Sequence, residues 1–224
     1  MRQNAAENIP ALHAEKSLAQ SETRLGRAVL PLCAAHEGQC GLVALDDSMD
    51  AFVARHRLAE MAQSTLDVQY YIWDDDMSGR LLFLALLAAA DRGVHVRILL
   101  DDNNTSGMDD ALRQLEAHPC IEVRLFNPFS FRTLRALGYL TDFARLNRRM
   151  HNKSFTADGV ATIVGGRNIG DAYFGAGDEP LFTDLDVMAI GPVVTDVAQD
   201  FERYWQSACV SPLHEVLDLS LIHI

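Results

Sequence analysis

One stretch, Met150-His-Asn-Lys-Ser-Phe-Thr-Ala-Asp-Gly-Val-Ala-Thr-Ile-Val-Gly-Gly-Arg-Asn168, indicates both the fold and the chemistry of this chain. His151 and Lys153 are two residues apart, and residues with that spacing on a β-strand point to the same face of the sheet. Asp158-Gly159 is typical of a tight hairpin turn, so the strand that begins near His151 is predicted to fold back on itself. We therefore expect an imidazole and an ammonium group side by side on one face of a β-sheet.

The returning half of the predicted hairpin carries groups that can bind an anion. Residues 162–164 are predicted to form a strand that leads to Gly165, Gly166 and then Asn168. Glycines leave backbone N–H groups accessible to a bound anion. Only two of the chain's 19 basic residues are lysines, which favours a specific need for a compact ammonium at Lys153 rather than a flat guanidinium. Together these groups suit the binding of a phosphoryl group.

The motif resembles the HKD motif of the phospholipase D superfamily. From about Ser21 to about Pro212 the chain is also similar to the amino-terminal lobe of bacterial cardiolipin synthases, and to the C-type branch in particular. The segments that carry this second resemblance are Leu66-Asp-Val-Gln-Tyr-Tyr-Ile-Trp73, Gly79-Arg-Leu-Leu82, Arg97-Ile-Leu-Leu-Asp-Asp-Asn-Asn104, Arg124-Leu-Phe-Asn-Pro128 and Asp142-Phe-Ala-Arg-Leu-Asn-Arg-Arg-Met-His-Asn-Lys153. Full-length members of that family have two lobes and two HKD motifs, so the resemblance implies that this chain is one lobe.

Strand-like and helix-like segments alternate along the chain, which predicts an α/β/α sandwich with a mixed β-sheet. The predicted strands are 66–73, 94–100, 121–126, the two arms of the hairpin, and 184–190. The predicted helices are 49–64, 79–92, 109–117 and 193–208, with a short helix opening at 169–173 and part of 130–149 helical as well. We expect Asp47 or Ser48 to cap the first of these helices and Ser78 to cap the second.

The chain is predicted to hold one large domain between two short segments. Residues 1–22 are polar and are expected to form a loose N-terminal arm. Residues 23–212 are assigned to one phospholipase D-like lobe with one HKD motif. Residues 213–224 are expected to form an irregular tail, and the end of that tail, Leu219-Ser-Leu-Ile-His-Ile224, resembles translated sequencing-adapter sequence. We therefore expect the active site in the lobe.

The resemblance implies phosphatidyl transfer in two steps through a phosphohistidine. One motif histidine attacks phosphorus, and a second histidine, from another HKD motif, protonates the leaving alcohol and then activates the incoming alcohol or water. In cardiolipin synthases the incoming group is a glycerol hydroxyl of phosphatidylglycerol or the head group of a second phospholipid. The candidate catalytic residues are His151, Lys153, Asp158, Asn168 and Asp184, and the candidate substrate-binding residues are Gly165 and Gly166.

The candidate carboxylates are assigned different roles. Asp158 is expected to brace the hairpin rather than to touch substrate. Asp184 opens the segment Asp184-Leu-Asp-Val-Met-Ala-Ile-Gly191-Pro192, which matches the form of an acidic residue that orients the motif histidine in the superfamily. A carboxylate that accepts one imidazole N–H fixes the tautomer and leaves the other nitrogen free for attack. We therefore expect Asp184 to contact His151, with Asp186 as the alternative.

The chain contains one HKD motif where full-length relatives contain two. No other histidine is followed two residues later by lysine, and the nearest imitation, His95-Val-Arg97, lies in a predicted buried strand. A second HKD lobe is therefore expected as a partner, either from a missing carboxy-terminal half or from a second copy of the chain. The favoured function is a phosphatidyltransferase lobe. The alternatives are a homodimeric one-motif phosphodiesterase or nuclease, and an inactive fragment.

Charge and hydropathy narrow the expected partners. A net charge of −12 argues against general nucleic-acid binding, which needs a basic surface, so we expect no nucleic acid as a partner. Between Arg124 and Lys153, basic and apolar residues alternate against one acid, Asp142, which suits either an amphipathic segment on an anionic membrane surface or a core helix with a solvated arginine face. The sequence has no long apolar run and no secretory signal. We therefore expect a cytoplasmic protein, peripheral on the inner membrane, with phosphatidylglycerol or a similar phospholipid as substrate.

Two acidic loops offer a competing interpretation. Asp74-Asp75-Asp76 follows the first predicted strand and Asp101-Asp102-Asn103-Asn104 follows the second, so both are expected at the carboxyl ends of neighbouring strands, where ligands bind in open α/β sheets. Clustered carboxylates there could hold Mg²⁺, but Asp and Asn also start turns and cap helices. Since Lys153 and the glycine amides would carry the phosphoryl charge, we expect no metal and no cofactor.

Overall fold

The chain folds into a mixed β-sheet with helices packed against it, and the computed structural model describes residues 19–129, 132, 143–176 and 182–221. The strands of this part are β1 (Gly41–Leu45), β2 (Thr65–Tyr70), β3 (His95–Asp101), β4 (Ile121–Phe126), β5 (Ser154–Ala157), β6 (Ala161–Gly165), β7 (Asp186–Ile190) and β8 (Val210–Pro212). The helices are α1 (Arg24–Ala35), α2 (Ser48–Met61), α3 (Met77–Asp91), α4 (Asp109–Glu116), α5 (Phe143–Leu146), α6 (Asp171–Phe174), α7 (Pro192–Trp205) and α8 (Leu213–Leu221). Short 3₁₀ turns lie at Gln20–Glu22 and Asp102–Asn104.

The strand order across the sheet is β1-β7-β6-β5-β2-β3-β4-β8. Strands β2, β3 and β4 are parallel and are joined by α3 and α4, whereas β5 and β6 form an antiparallel hairpin whose first strand pairs with β2. Parallel neighbours need a long crossover, and antiparallel neighbours can be joined by a tight turn. This topology confirms the predicted α/β fold with a mixed sheet, and it places the motif hairpin near the centre of the sheet.

Apolar side chains of the central strands form the core around the hairpin. Leu66 and Val68 on β2, Val96 on β3 and Phe155 on β5 are fully buried. Burying one large aliphatic side chain stabilises the folded state by roughly 1.5–3 kcal/mol. Strand β5, which follows the motif residues, and its neighbour β2 are therefore anchored in the hydrophobic core.

The helices begin at side chains that cap their first turns. Asp47 accepts two backbone N–H groups of the first turn of α2, at 2.8 and 3.0 Å, as the sequence predicts. Before α3 the cap is Asp76 and not the predicted Ser78, because the Asp76 carboxylate accepts from the N–H of Gly79 at 2.9 Å. Asp and Ser are both favourable caps, so the local sequence does not distinguish Asp76 from Ser78. Contacts in the folded chain select Asp76.

The carboxy-terminal segment differs from the irregular tail predicted at 213–224. It forms α8, which packs against α4 and β4 and buries Leu213, Val216 and Leu217. Residues spaced by three and four positions share one face of a helix. The prediction of an irregular tail was wrong because it overlooked this short apolar stripe.

The amino-terminal region holds two elements that the alternation of segments does not predict. Helix α1 begins just after the predicted arm at 1–22, and β1 forms an edge strand antiparallel to β7. Residues 1–18 of the arm lie outside the described residues, and so do residues 130–131 and 133–142, which make up most of the predicted helical region at 130–149 and part of the amphipathic segment between Arg124 and Lys153. In the described part of that segment, Arg124, Arg132 and Arg149 form ion pairs with carboxylates of the fold. Among the described helices, none is long and apolar enough to span a bilayer.

Candidate active site

His151 and Lys153 lie just before β5, at the open end of the β5–β6 hairpin. Both residues line one cavity of about 390 Å³, and Gly165 at the end of β6 lines it from the facing strand. The register pairs Ser154 with Val164, so the two strands meet side by side at this cavity. The structure therefore brings three of the predicted site residues together.

The ammonium group of Lys153 is held against the motif backbone. Its Nζ donates to the carbonyl oxygen of His151 at 2.8 Å and lies 5.6 Å from the centre of the Tyr71 ring. Burial lowers the pKa of Lys153, and the negative charges of Asp184 and Asp186 oppose that shift. Because an ammonium has three N–H donors, the group can direct its other donors to an anion in the cavity.

The imidazole of His151 is exposed and packs on the ring of Tyr71, with the ring centres 4.6 Å apart and the planes tilted by 49°. Partial burial, and then the neighbouring charge of Lys153, lower the pKa of His151 below its ordinary value. More of the imidazole is therefore neutral near pH 7. The neutral form carries the free lone pair that a nucleophile needs.

Asp158 lies at the other end of the hairpin, in the turn. Its carboxylate accepts from the backbone N–H groups of Gln63, Ser64 and Thr65 at 2.8–3.2 Å, and it is almost fully buried. Its backbone is in the left-handed region, with φ 51°. Asp158 is not among the residues that line the cavity. These contacts are those expected of a residue that braces the hairpin, and its predicted role stays a prediction.

Asn168 is buried, and its carboxamide is bound to neighbouring parts of the fold. Its Oδ1 accepts from the N–H of Ile72 at 3.0 Å, and its Nδ2 donates to the hydroxyl of Tyr173 at 3.0 Å. These bonds tie the segment after β6 to the segment after β2. The predicted contact between Asn168 and a phosphoryl group stays a prediction.

The glycine pair makes room for two carboxylates. A Cβ atom at Gly165 would collide with the carboxylate of Asp186, and one at Gly166 would collide with that of Asp184. Close approach of these side chains accounts for the glycines, in addition to the predicted access of an anion to their amides. The N–H of Gly166 donates to the carbonyl of Leu185 at 3.1 Å, so that amide is used within the fold, whereas Gly165 faces the cavity.

The negative charges of Asp184 and Asp186 raise the pKa of Lys153, whereas the pKa of His151 responds to burial and to the charge of Lys153. Asp186 is fully buried and forms an ion pair with Arg55, with 2.8 Å between its Oδ2 and the arginine Nη2. Asp184 is partly exposed and accepts from the backbone N–H of the following residue at 2.8 Å. Within the described part of the chain, neither carboxylate has a hydrogen bond to the imidazole of His151. The orienting role of Asp184 stays a prediction, and Asp186 serves as the counter-ion of Arg55.

Several residues that line or support the cavity are not singled out by the sequence. Helix α7 contributes Asp196, Asp200 and Arg203, and Asn152 donates from Nδ2 to the Asp200 carboxylate at 2.9 Å. Tyr71 contacts both His151 and Lys153. The three α7 residues are spaced by four and three positions, so a polar stripe on the predicted closing helix was the signal that could have found them.

The two acidic loops are engaged in contacts within the protein. Asp76 caps α3, and Asp102 forms a buried ion pair with Arg132. Asp101 accepts from the backbone N–H of Met150 at 2.8 Å, so its carboxylate reaches the motif. Among the residues that the structure describes, no group of three or more potential metal ligands comes together. The loops therefore have structural partners that the magnesium interpretation did not consider.

The model of the family described as "Cardiolipin synthase, PLD-like domain" matches residues 56–205, which is more than half of the chain. The chain belongs to this family. The match includes both the stretch from Met150 to Asn168 and the helix α7 that lines its cavity, and it confirms the predicted resemblance to the cardiolipin synthases.

A relative in the cardiolipin synthase family extends the match over most of the chain. Cardiolipin synthase C of Escherichia coli (strain K12) is 77% identical over 196 residues, which cover 88% of this chain and 41% of that protein. The chain thus spans less than half of the length of this relative.

Solved structures show the same fold at low sequence identity. The phosphatidylserine synthase of Haemophilus influenzae Rd KW20 has a TM-score of 0.59 and 13% identity, and the match covers 81% of this chain and 41% of that one. Nuc, a phospholipase D family member from Salmonella typhimurium, has a TM-score of 0.54 and 18% identity, and the match covers 78% of this chain and 97% of that one. These likenesses support the α/β architecture of the cardiolipin synthase-like lobe.

Proposed function

We propose that this chain is the catalytic lobe of a phosphatidyltransferase that moves a phosphatidyl group from one phospholipid to another. The observation that carries the proposal is the pairing of a nucleophile and a cation in one cavity, where His151 with a lowered pKa lies beside the ammonium group of Lys153. Identity of 77% to a cardiolipin synthase favours phosphatidylglycerol or a similar phospholipid as the substrate.

In the proposed first step, the neutral imidazole of His151 attacks the phosphorus atom of a phosphodiester. A P–N bond forms, the P–O bond to the leaving alcohol breaks, and the alcohol takes a proton from a second histidine outside this chain. Lys153 and the backbone near Gly165 stabilise the negative charge on the phosphoryl oxygens. In the second step an acceptor hydroxyl gives its proton to the second histidine and displaces His151, which restores the starting enzyme.

The proposal requires a second HKD lobe as a partner, because His151 cannot act as nucleophile and as general acid in the same step. The chain spans 41% of the length of cardiolipin synthase C, which leaves room for such a lobe in the full-length relative. We expect the second histidine to come from a carboxy-terminal half of this kind rather than from another copy of the chain.

Reconstitution tests this function. The chain is mixed with a separately produced carboxy-terminal lobe of cardiolipin synthase C and with phosphatidylglycerol vesicles, and cardiolipin is measured by mass spectrometry. We expect product only when both parts are present, together with a phosphatidyl adduct on the peptide that carries His151. A His151→Gln chain is the matched control and should form neither. Equal product with the wild-type and the control chain would contradict the proposal.

A homodimeric phosphodiesterase is the second candidate, and a specific observation favours it. The match to Nuc covers 97% of that chain, so a molecule of nearly one lobe exists in this superfamily. Light scattering and hydrolysis of bis(4-nitrophenyl) phosphate separate the two candidates. We expect a monomer with little hydrolysis, whereas an active dimer of this chain alone would establish the second candidate instead.

We further propose that the lobe works on the cytoplasmic surface of the inner membrane without spanning it. A phospholipid substrate supports this placement, although the net charge of the whole chain is −12. In the basic stretch between Arg124 and Lys153, Arg148 is exposed and can face a membrane, whereas Arg132 and Arg149 are paired with carboxylates inside the fold. Vesicles rich in anionic lipid should bind the chain better than neutral vesicles, and added salt should weaken the binding. Equal binding to anionic and neutral vesicles would mean that the basic stretch gives no support to a membrane-surface location.

A further inference from the structure

A buried carboxylate holds the backbone that leads into the motif. Asp101, the last residue of β3, accepts from the backbone N–H of Met150 at 2.8 Å through one oxygen and from that of Asn103 at 2.9 Å through the other. Asp101 is fully buried. Because Met150 directly precedes His151, the first bond fixes the main chain on the amino side of the proposed nucleophile.

The main chain around His151 is also held at two other points. The side chain of Met150 is buried, and the Nε2 of Gln69 lies 3.0 Å from its sulfur. On the carboxyl side, Lys153 donates from Nζ to the carbonyl of His151 at 2.8 Å. The backbone of His151 is therefore clamped on both sides, while its imidazole projects into the cavity beside Tyr71.

An arginine next to the motif belongs to the same cluster. Arg149 donates from Nη1 to the Asp101 carboxylate at 3.2 Å and to the carbonyl of Asn127 at 3.1 Å. Its Nε and Nη2 atoms are buried and have no hydrogen-bond partner in the described part of the chain. An incompletely satisfied buried cluster contributes less stability than a fully satisfied one. The geometry of the Asp101–Arg149 cluster is therefore better explained by the main chain that it positions than by a contribution to the stability of the fold.

The ionised state of Asp101 also costs stability. Burial raises the pKa of Asp101 to about 6, against the opposing effects of the Asn103 and Met150 amides and the Arg149 charge, and with a small contribution from the charge of Asp102. A carboxyl whose pKa is raised by folding stabilises the fold at low pH, and that stability is lost as the pH rises through the folded pKa. Near pH 7 the carboxylate is thus kept charged at the expense of stability, as is common where a group serves function.

We propose that Asp101 is a positioning residue for His151, and that it acts by holding the N–H of Met150 so that the imidazole approaches phosphorus from one fixed direction. The predicted effect on catalysis rests on the proposed function, whereas the predicted effect on the orientation of the imidazole does not. A displacement of about 1 Å at a reacting group can reduce the rate about 100-fold. In Asp101→Asn one acceptor oxygen becomes an NH₂ group, so the side chain cannot accept from both backbone N–H groups.

The first arm of the test observes His151 directly, in the full 224-residue chain with ¹³C-labelled histidine. We expect Asp101→Asn to shift the NMR signal of His151. Asp67→Asn is the matched control, because Asp67 is also a mostly buried carboxylate paired with an arginine, Arg97 at 2.7 Å, and that partner lies on β3 rather than in the motif. The control should lose stability without shifting the His151 signal.

The second arm measures kinetics with the second lobe supplied in trans. We expect Asp101→Asn to reduce kcat by about tenfold to a hundredfold, with KM within about twofold of the wild-type value, because orientation and not binding is changed. A residue with only a structural role would instead lower the amount of folded enzyme and leave kcat per folded molecule unchanged.

If Asp101→Asn does not fold, a second variant tests whether the bond from Asp101 positions His151. Replacing residue 150 by the α-hydroxy acid analogue of methionine removes only the N–H that Asp101 accepts. We expect the same shift of the His151 signal and the same loss of kcat. An unchanged His151 signal in this variant, or an equal shift in Asp67→Asn, would overturn the proposal. If the wild-type pair of lobes is inactive, the proposed function fails, and the NMR comparison still decides whether Asp101 positions His151.

Discussion

The two ends of the β5–β6 hairpin use their polar groups in opposite ways. At the turn, the buried carboxylate of Asp158 accepts three successive backbone N–H groups at and just before the start of β2. At the open end, His151 and Lys153 face a cavity, and the pKa of each is lowered, chiefly by burial. One motif thus combines a segment that stabilises the fold with a segment whose groups are kept ready for chemistry, as is typical of functional sites.

The largest expected effect is at the open end, in His151→Ala. Removing the proposed nucleophile should reduce transfer activity by about 10⁴-fold or more in the reconstituted enzyme. The melting temperature should stay close to that of the wild type, because the imidazole is exposed. Activity above a tenth of the wild-type value would show that His151 is not the nucleophile, and a large drop in melting temperature would remove the contrast between the two ends.

Lys153→Arg should give the next largest effect. The charge is kept, but a guanidinium is larger and flatter than the ammonium, and it cannot repeat the short bond to the carbonyl of His151 in the same space. We expect kcat to fall about 100-fold, since the cation is displaced from the phosphoryl oxygens. Steady-state kinetics of the reconstituted enzyme measure this, and a variant with near wild-type kcat would mean that only the charge matters.

Asp158→Asn changes the turn end of the hairpin, and there we expect a lower free energy of unfolding but unchanged catalytic activity. The amide has one acceptor oxygen and no charge, so at least one buried N–H group loses its partner, which costs about 2 kcal/mol in the free energy of unfolding. Urea denaturation measures that cost. Activity per folded molecule should stay near the wild-type value, and a loss as large as in Lys153→Arg would erase the distinction between the ends.

The smallest expected effect concerns the pKa of His151, which partial burial and the charge of Lys153 lower. Because the neutral imidazole is the nucleophilic form, activity is present above this pKa and is lost as the pH falls through it. In Lys153→Met the repulsion between the two positive groups disappears, so the pKa of His151 should rise. An NMR titration of labelled histidine measures the change, with Asp158→Asn as the control that should show none. A pKa that stays constant or falls in Lys153→Met would contradict the electrostatic explanation.

Local sequence patterns predicted the hairpin well because a hairpin depends on local rules. The spacing of His151 and Lys153 and the turn at Asp158-Gly159 need only the period of a strand and the preferences of a tight turn. The role of Asp101 was not predictable in this way, because its partner Met150 is 49 residues further along the chain. A carboxylate at the end of a strand has the same local sequence whether it starts a turn, caps a helix, binds a metal or holds a distant backbone N–H.

The predicted contact between Asp184 and His151 illustrates the same limit. The sequence placed an acidic residue at the start of the correct strand segment, but only the packing of β6 against β7 brings it over Gly166 and within electrostatic reach of Lys153. The ring that contacts the imidazole belongs instead to Tyr71, which follows β2. Neither neighbour can be read from spacing, because each depends on which strands lie side by side.

The family, the alternation of strands and helices, and the hairpin after His151 and Lys153 could all be predicted from the amino-acid sequence. These features follow from periodicity, turn chemistry and motif spacing, all of which act between residues close in the chain. The groups that surround the imidazole, and the changes that burial makes to the pKa of His151, Lys153 and Asp101, became visible only in the folded chain. Those properties depend on desolvation and on hydrogen bonds between distant segments, and both arise only when the sheet assembles.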